Sequence, residues 1–221
     1  MSGERKVIAI DGPSASGKGT VAREVARRLG ADYLDTGATY RAFALFADGR
    51  DVSPEDGGKV DALLKEAKIS FLNNPGGYSV MLNGRDVSGM IRTPEISESA
   101  SRFSEIGSVR DVLGRIQRAH GRNTSIVAEG RDMGTRVFYD ADYKFFLTAD
   151  PEERARRRNS EIKESGGSQT FEDTVEEMCV RDERDARRKL SPLKPADDAV
   201  IIDTTRLGVD EVVEIILNRV A

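Results

Sequence analysis

The chain has 221 residues, 33% of them charged and 38% hydrophobic, with a formal net charge of −4. That is enough for one domain, or one domain with insertions, around a real core, and the acidic balance argues against a broad nucleic-acid footprint. No apolar run approaches the ~20 residues of a membrane span, the amino-terminal apolar stretch is too short for a signal peptide, and the single cysteine excludes an internal disulfide; a cytoplasmic protein is expected.

In chain order, "KVIAI" predicts a buried strand. After a glycine-rich loop, Val21, Val25 and Leu29 recur at helical spacing until Gly30. "DYLDTG" predicts a second strand leading to a turn, and "TYRAFALFA" a helix. The stretch from about Ser53 to Gly89 is rich in glycine. Its runs "KISFL" and "YSVML", separated by "NNPGG", predict a hairpin in a small inserted β lobe. "PEISESASRF" and "SVRDVLGRIQRA" predict helices; "SIVAEG" and "YKFFLTA" predict further core strands. Asp150, Pro151 and Glu153 form a helix start of capping-box type. "ESGGSQ" is a flexible break, residues 170–189 a helix, "DAVIID" the fifth strand, and Val209 to Val220 an amphipathic closing helix. Cys179 is expected to pack within its helix and His120 to sit partly exposed near a helix end. Strands alternating with helices predict an α/β fold with a mostly parallel sheet and its ligands at the carboxyl ends of the strands.

"GPSASGKGT" matches G-x-x-x-x-G-K between a strand and a helix. Its small residues, Gly12, Pro13, Ser14, Ala15, Ser16 and Gly17, let backbone N–H groups close on phosphates, and Lys18 adds a charge. Gly19 stands where a metal-binding hydroxyl commonly follows the lysine, and Thr20 comes next, so the metal is expected to be held largely through water. The motif names a nucleoside triphosphate site and leaves the acceptor open. Three further sets of polar residues follow strands or border helices. "EGRDMGT" places Arg131 beside Asp132 after a core strand. Arg181, Asp185 and Arg188 share one helical stripe beside an apolar face of Phe171, Val175, Met178 and Ala186. Arg154, Arg157 and Arg158 share one helical side just before the flexible break, which suits a lid that closes over a triphosphate and excludes water.

Together with "LDTGATYRA", "DVSGMIRTPEIS", "RDERDARR" and "PLKPADDAVIIDTT", these stretches make the chain resemble the bacterial cytidylate kinases over nearly its whole length. The resemblance implies a three-layer P-loop kinase with a five-stranded parallel sheet. Its core would comprise residues 1–50, 104–153 and 169–221, with a monophosphate-binding lobe at 51–103 and a lid at 154–168. It implies phosphoryl transfer from ATP, with Mg²⁺, to CMP or dCMP. By matching positions, Ser101, Arg110 and Asp132 would contact the cytosine. Arg181 and Asp185 would hold the sugar hydroxyls, and Arg41, Arg131 and Arg188 the monophosphate. Tyr40 would line the pocket, with Thr36 beside it. Lys18, Arg131, Arg188 and Arg157 would carry the charge of transfer. Arg154 and Arg158 would join the loop around ATP, and Thr20 and Glu129 would hold magnesium through water. A monomer acting on free nucleotides, without nucleic acid or membrane, is expected. The nearest alternative is a P-loop kinase for uridylate or another small acceptor. A GTPase-like switch would need a guanine-reading N-K-x-D element, which the sequence lacks.

Overall fold

The computed structural model describes residues 5–74, 77–164 and 166–220. In chain order the elements are β1 (Val7–Asp11), α1 (Lys18–Leu29), β2 (Asp32–Asp35), α2 (Thr36–Asp48), α3 (Gly57–Glu66), β3 (Ile69–Asn74), β4 (Gly77–Leu82) and β5 (Arg85–Asp86). There follow α4 (Pro94–Phe103), α5 (Gly107–His120), β6 (Ile126–Gly130), β7 (Tyr143–Thr148), α6 (Pro151–Glu164), α7 (Phe171–Arg187), β8 (Val200–Asp203) and α8 (Val209–Val220).

Five strands form one parallel sheet in the order β2-β6-β1-β7-β8. Strand alternation sends side chains to both faces. Val7, Ala9 and Leu34 enter one buried cluster with α2, α4 and α5, whereas Ile8, Ile10 and Tyr33 enter a second with α1 and α8. That is the three-layer α/β arrangement expected from the alternating pattern. Because the chain steps to one side of β1 for β2 and to the other for β7, the carboxyl edge of β1 is a topological switch point, where such folds open a crevice.

The insertion is only partly a β lobe. β3, β4 and β5 make the expected antiparallel sheet, with Pro75 and Gly76 of the predicted turn outside the described residues. Ahead of them lies α3, which burial of Val60, Leu63 and Leu64 at helical spacing stabilises. The lobe shares the main apolar cluster: Val60, Ile69 and Phe71 pack into the same cluster as Leu34 and Phe43. It also closes the outer side of β2. The Tyr33 backbone N–H donates to the Asn73 side chain at 3.2 Å, and the Tyr33 and Tyr78 rings meet edge-on at 5.1 Å.

Three local readings change. Thr36 and Gly37 belong to a helix, not to a turn, because the Asp35 carboxylate accepts from the Ala38 N–H at 2.9 Å and starts α2 at once. On α7, Thr174 and Met178 are buried, but Ala186 is exposed, so the apolar face is narrower than predicted. Cys179 is exposed and does not pack the helix. His120, half-buried at the end of α5, lies as expected. Asp150 accepts from the N–H groups of Glu152 and Glu153 at the start of α6, and Thr170 caps α7. Among the described residues, no helix is long and apolar enough to cross a membrane.

Candidate active site

The polar residues singled out in the sequence collect at the carboxyl edge of the parallel sheet. Residues 12–17 turn from β1 into α1. A Cβ at Gly12 would stand 2.1 Å from the Leu147 carbonyl oxygen, so only glycine lets the loop lie against β7. Ala15 and Gly17 adopt left-handed backbone angles, φ 55° and 83°, the conformation from which anion-binding backbone nests are built. Lys18 folds back over the loop and donates to the Pro13 carbonyl at 2.9 Å. Burial, and then the charge of Arg131, depress its ammonium to about 7. An arriving polyphosphate anion would reverse that shift.

Asp11 ties the loop to the next polar segment. Its carboxylate accepts from the N–H groups of Met133 and Gly134 at 2.9 and 2.8 Å. Residues 133–137 make a single wide helical turn there, and this sets Arg131 and Asp132 at the end of β6. Burial raises the Asp11 carboxyl to about 7 against the lowering effect of those two donors.

A cavity of about 650 Å³ extends from Lys18 and Ser14 to α4, α5 and α7. It is lined by all ten residues nominated for the acceptor: Thr36, Tyr40, Arg41, Ser101, Arg110, Arg131, Asp132, Arg181, Asp185 and Arg188. Its cations are matched by carboxylates. Arg110 pairs with Asp132 at 2.5 Å, with both side chains almost fully buried, and lies over the Tyr40 ring. Arg41 pairs with Asp35 at 2.8 Å. Asp185 takes Arg131 at 2.9 Å on one oxygen and Arg188 on the other. The arginines beside it hold the Asp185 carboxyl below its ordinary range, although burial acts the other way. Arg188 reaches the cavity from just beyond the end of α7, so it completes the predicted set without belonging to a helical stripe. Arg181 is lowered to about 10 by burial and by Arg131. The Nε groups of Arg41, Arg110, Arg181 and Arg188 are buried without a hydrogen-bond partner. A cavity walled by this many guanidinium groups suits an anionic ligand.

Asp35 and Glu129 are direct neighbours in the β2–β6 register. Burial first, and then the Asp35 charge, push the Glu129 carboxyl up. A Cβ at Gly19 would lie 3.3 Å from a Glu129 carboxylate oxygen, which explains a glycine after the lysine. Thr20 does not share this cavity. It lines a second one, of about 530 Å³, on the other side of the loop, with Gly17, Arg157, Thr204 and Leu207. There the Thr204 hydroxyl lies 3.1 Å from the Ser16 carbonyl, and Arg157 donates to the Thr204 carbonyl at 2.7 Å. Of the predicted lid arginines, Arg157 lines the second cavity, Arg158 the first, and Arg154 neither of the two. Sequence reasoning missed Asp35, Arg92, Ser97 and Ser104 around the first cavity, and Thr204 and Leu207 around the second. Asp35 was available as the residue ending the strand before Thr36; Arg92, Ser97 and Thr204 lie in the quoted stretches "DVSGMIRTPEIS" and "PLKPADDAVIIDTT" without an assigned contact, and Ser104 and Leu207 carry no local signal.

A glycine loop between β1 and α1, beside an arginine-lined cavity at the switch point of a parallel sheet, defines a P-loop nucleotide kinase. Residues 8–221 match the cytidylate kinase family profile. The chain is 47% identical over 213 residues to a cytidylate kinase of Thermosipho melanesiensis, covering 96% of this chain and 95% of that one. It is 45% identical over 221 residues to a cytidylate kinase of Pseudomonas aeruginosa, covering 99% and 96%. The chain belongs to the cytidylate kinase family. Among solved structures, an uncharacterized protein from Eubacterium ventriosum superposes with a TM-score of 0.51 at 13% identity, covering 98% of each chain. That likeness concerns the fold alone.

Proposed function

We propose that the chain transfers the γ-phosphoryl group of ATP to the phosphate of CMP or dCMP, giving ADP and CDP or dCDP. The observation that carries this reading is the single cavity in which all ten nominated acceptor residues meet beside Lys18. Ser101, Arg110 and Asp132 would read the base, since cytosine presents both an amino donor and ring acceptors. Arg181 and Asp185 would hold the sugar, and Arg41, Arg131 and Arg188 the phosphate. The acceptor phosphate is already an anion near neutral pH and needs no general base. Catalysis then rests on alignment and charge neutralisation. Lys18, Arg131, Arg188 and Arg157 would supply the positive charge. Binding is an exchange of partners: the phosphate replaces Asp185 on Arg131 and Arg188, and Asp185 turns to the sugar hydroxyls.

The triphosphate would lie on Gly12, Pro13, Ser14, Ala15, Ser16, Gly17, Lys18, Gly19 and Thr20, with Arg158 beside it and the nucleoside in the second cavity. Magnesium fits the adjacent carboxylates Asp35 and Glu129. They are hard oxygen donors whose mutual repulsion a divalent cation relieves. Two carboxylates leave most of the coordination shell to phosphate oxygens and water. The metal would neutralise charge on the transferring phosphate, and Thr20 would act on it only through water. The lobe at 51–103 and the lid at 154–168 would move against the core. A cytoplasmic monomer acting on free nucleotides is part of the same reading; the net charge of −4 supports the absence of nucleic acid.

The test is ADP release with CMP, dCMP, UMP, AMP and shikimate offered side by side. CMP and dCMP should be the preferred acceptors. A higher kcat/KM for UMP, AMP or shikimate overturns the reading. Light scattering on the eluting protein checks the monomer.

A further inference from the structure

Arg154 stands apart from the arginines around it. Its side chain lines neither of the two cavities, and the residue is only 7% exposed. Its Nε donates to the Ala149 carbonyl at 3.2 Å, just past the end of β7. Its Nη1 donates to the Ser14 carbonyl in the phosphate loop at 3.2 Å and to the Asp182 carboxylate on α7 at 2.6 Å. The second oxygen of Asp182, Oδ1, is buried without a hydrogen-bond partner, so the Oδ2 bond from Arg154 fixes this carboxylate. Asp182 directly follows Arg181 and precedes Asp185 by three residues, and both of these line the acceptor cavity. Ser14 lines that cavity from the loop side. One guanidinium therefore bonds the loop that would hold the donor and the helix that would hold the acceptor.

We propose that Arg154 and Asp182 form a strut coupling the two substrate sites, so that ATP and CMP each tighten the binding of the other. Arg154 is a positioning residue here, not a ligand of the triphosphate. To reach a phosphate it would have to leave a buried ion pair and two carbonyls, and Asp182 would be left with an unpaired charge. In its place it makes the position of the Ser14 carbonyl and the setting of α7 interdependent. By linkage, any coupling that results acts equally in both directions. The inference rests on the proposed donor and acceptor, and the experiment separates the two.

Calorimetry on the full chain gives Kd for CMP alone, for a non-hydrolysable ATP analogue alone, and for CMP with the analogue saturating. The variants are Asp182→Asn, Arg154→Lys and the double substitution. In the wild type, the analogue should tighten CMP by about fivefold or more. Each single variant should bring that factor down to about twofold or less while keeping affinity for the analogue alone, and the double variant should lose no more than either single one. Asp182→Asn keeps the shape of the side chain and carries the test by itself if Arg154→Lys does not fold. Unchanged coupling in the variants overturns the strut, as does the absence of coupling in the wild type. Arg154→Lys weakening the analogue alone about tenfold while Asp182→Asn does not would make Arg154 a phosphate ligand and also overturn it. A wild type that binds the analogue but not CMP overturns the proposed acceptor itself, and the strut with it.

Discussion

The phosphate loop and the acceptor cavity meet at Lys18, yet they are made in different ways. The loop is one run, Gly12 to Thr20, whose working groups are mostly backbone N–H donors and whose single charge is Lys18. The cavity draws side chains from β2, α2, α4, α5, β6 and α7, and its arginines are held by Asp35, Asp132 and Asp185. A backbone cradle depends on where glycine is allowed and on one lysine. A cavity of paired charges depends on every partner, because removing one strands the other in a dry site.

That contrast can be tested at graded severity. Lys18→Ala should have the largest effect, a loss of turnover of roughly 100-fold or more with a smaller change in ATP affinity. Steady-state kinetics reads both, and a comparable loss of binding with intact turnover would remove Lys18 from the charge-carrying role. Asp132→Ala should destabilise the protein by about 3–5 kcal/mol, because Arg110 is left buried and unpaired. The same variant should also narrow the preference for CMP over UMP. Urea unfolding reads the first effect and competition kinetics the second.

The link between loop and cavity carries its own signature in pH. The folded Asp11 carboxyl lies at about 7, above its ordinary value of 3.8. The folded state therefore binds the proton more tightly, and the stability due to this group is full below pH ~4 and lost as pH rises through about 7. Asp11→Asn should flatten that part of the urea midpoint profile between pH 4 and 8; an unchanged slope assigns it to other groups. Gly19→Ala should lower kcat by displacing the Glu129 carboxylate, which stands 3.3 Å from the new methyl, while the urea midpoint stays near the wild-type value because the helix propensity gained in α1 offsets the crowding. Smallest of all is Glu214→Gln. It loosens an exposed α1–α8 pair with Arg28, which Glu24 and Asp210 also bond. Thermal unfolding should register no resolvable change in Tm.

The same contrast explains what could be read in advance. The strands other than β5, the loop and seven of the eight α-helices are local patterns of apolar period and capping, and they lie where those patterns put them. α3 was hidden because Gly57 and Gly58 open it and glycine suggests a break, although Val60, Leu63 and Leu64 keep helical spacing. Arg131, Asp132, Arg181, Asp185 and Arg188 stood out by their place after a strand or on a helix, whereas Thr36, Tyr40, Arg41, Ser101 and Arg110 came through family resemblance, since no local rule brings Ser101 and Arg131 to one wall. Arg92 and Ser97 lie in the same cavity within the quoted stretch "DVSGMIRTPEIS", but nothing in it assigns them a contact, and Ser104 lies outside every quoted stretch. Arg154 shows the opposite failure. Its spacing with Arg157 and Arg158 is right for a shared face, but Asp182, 28 residues later in the chain, turns it inward.

The hairpin at 69–82 has a consequence beyond the wall it adds to the site. β2 is an outer strand of the parallel sheet, and Asn73 occupies the Tyr33 N–H that would otherwise face outward. At the opposite border β8 meets no further strand among the described residues, and Ile201 is 60% exposed. Excising the insertion would give the sheet a second bare border able to recruit strands from neighbouring copies. A protein cut down to its five-stranded core would therefore gain a self-association edge at the same stroke as it lost Ser101 from the cavity wall.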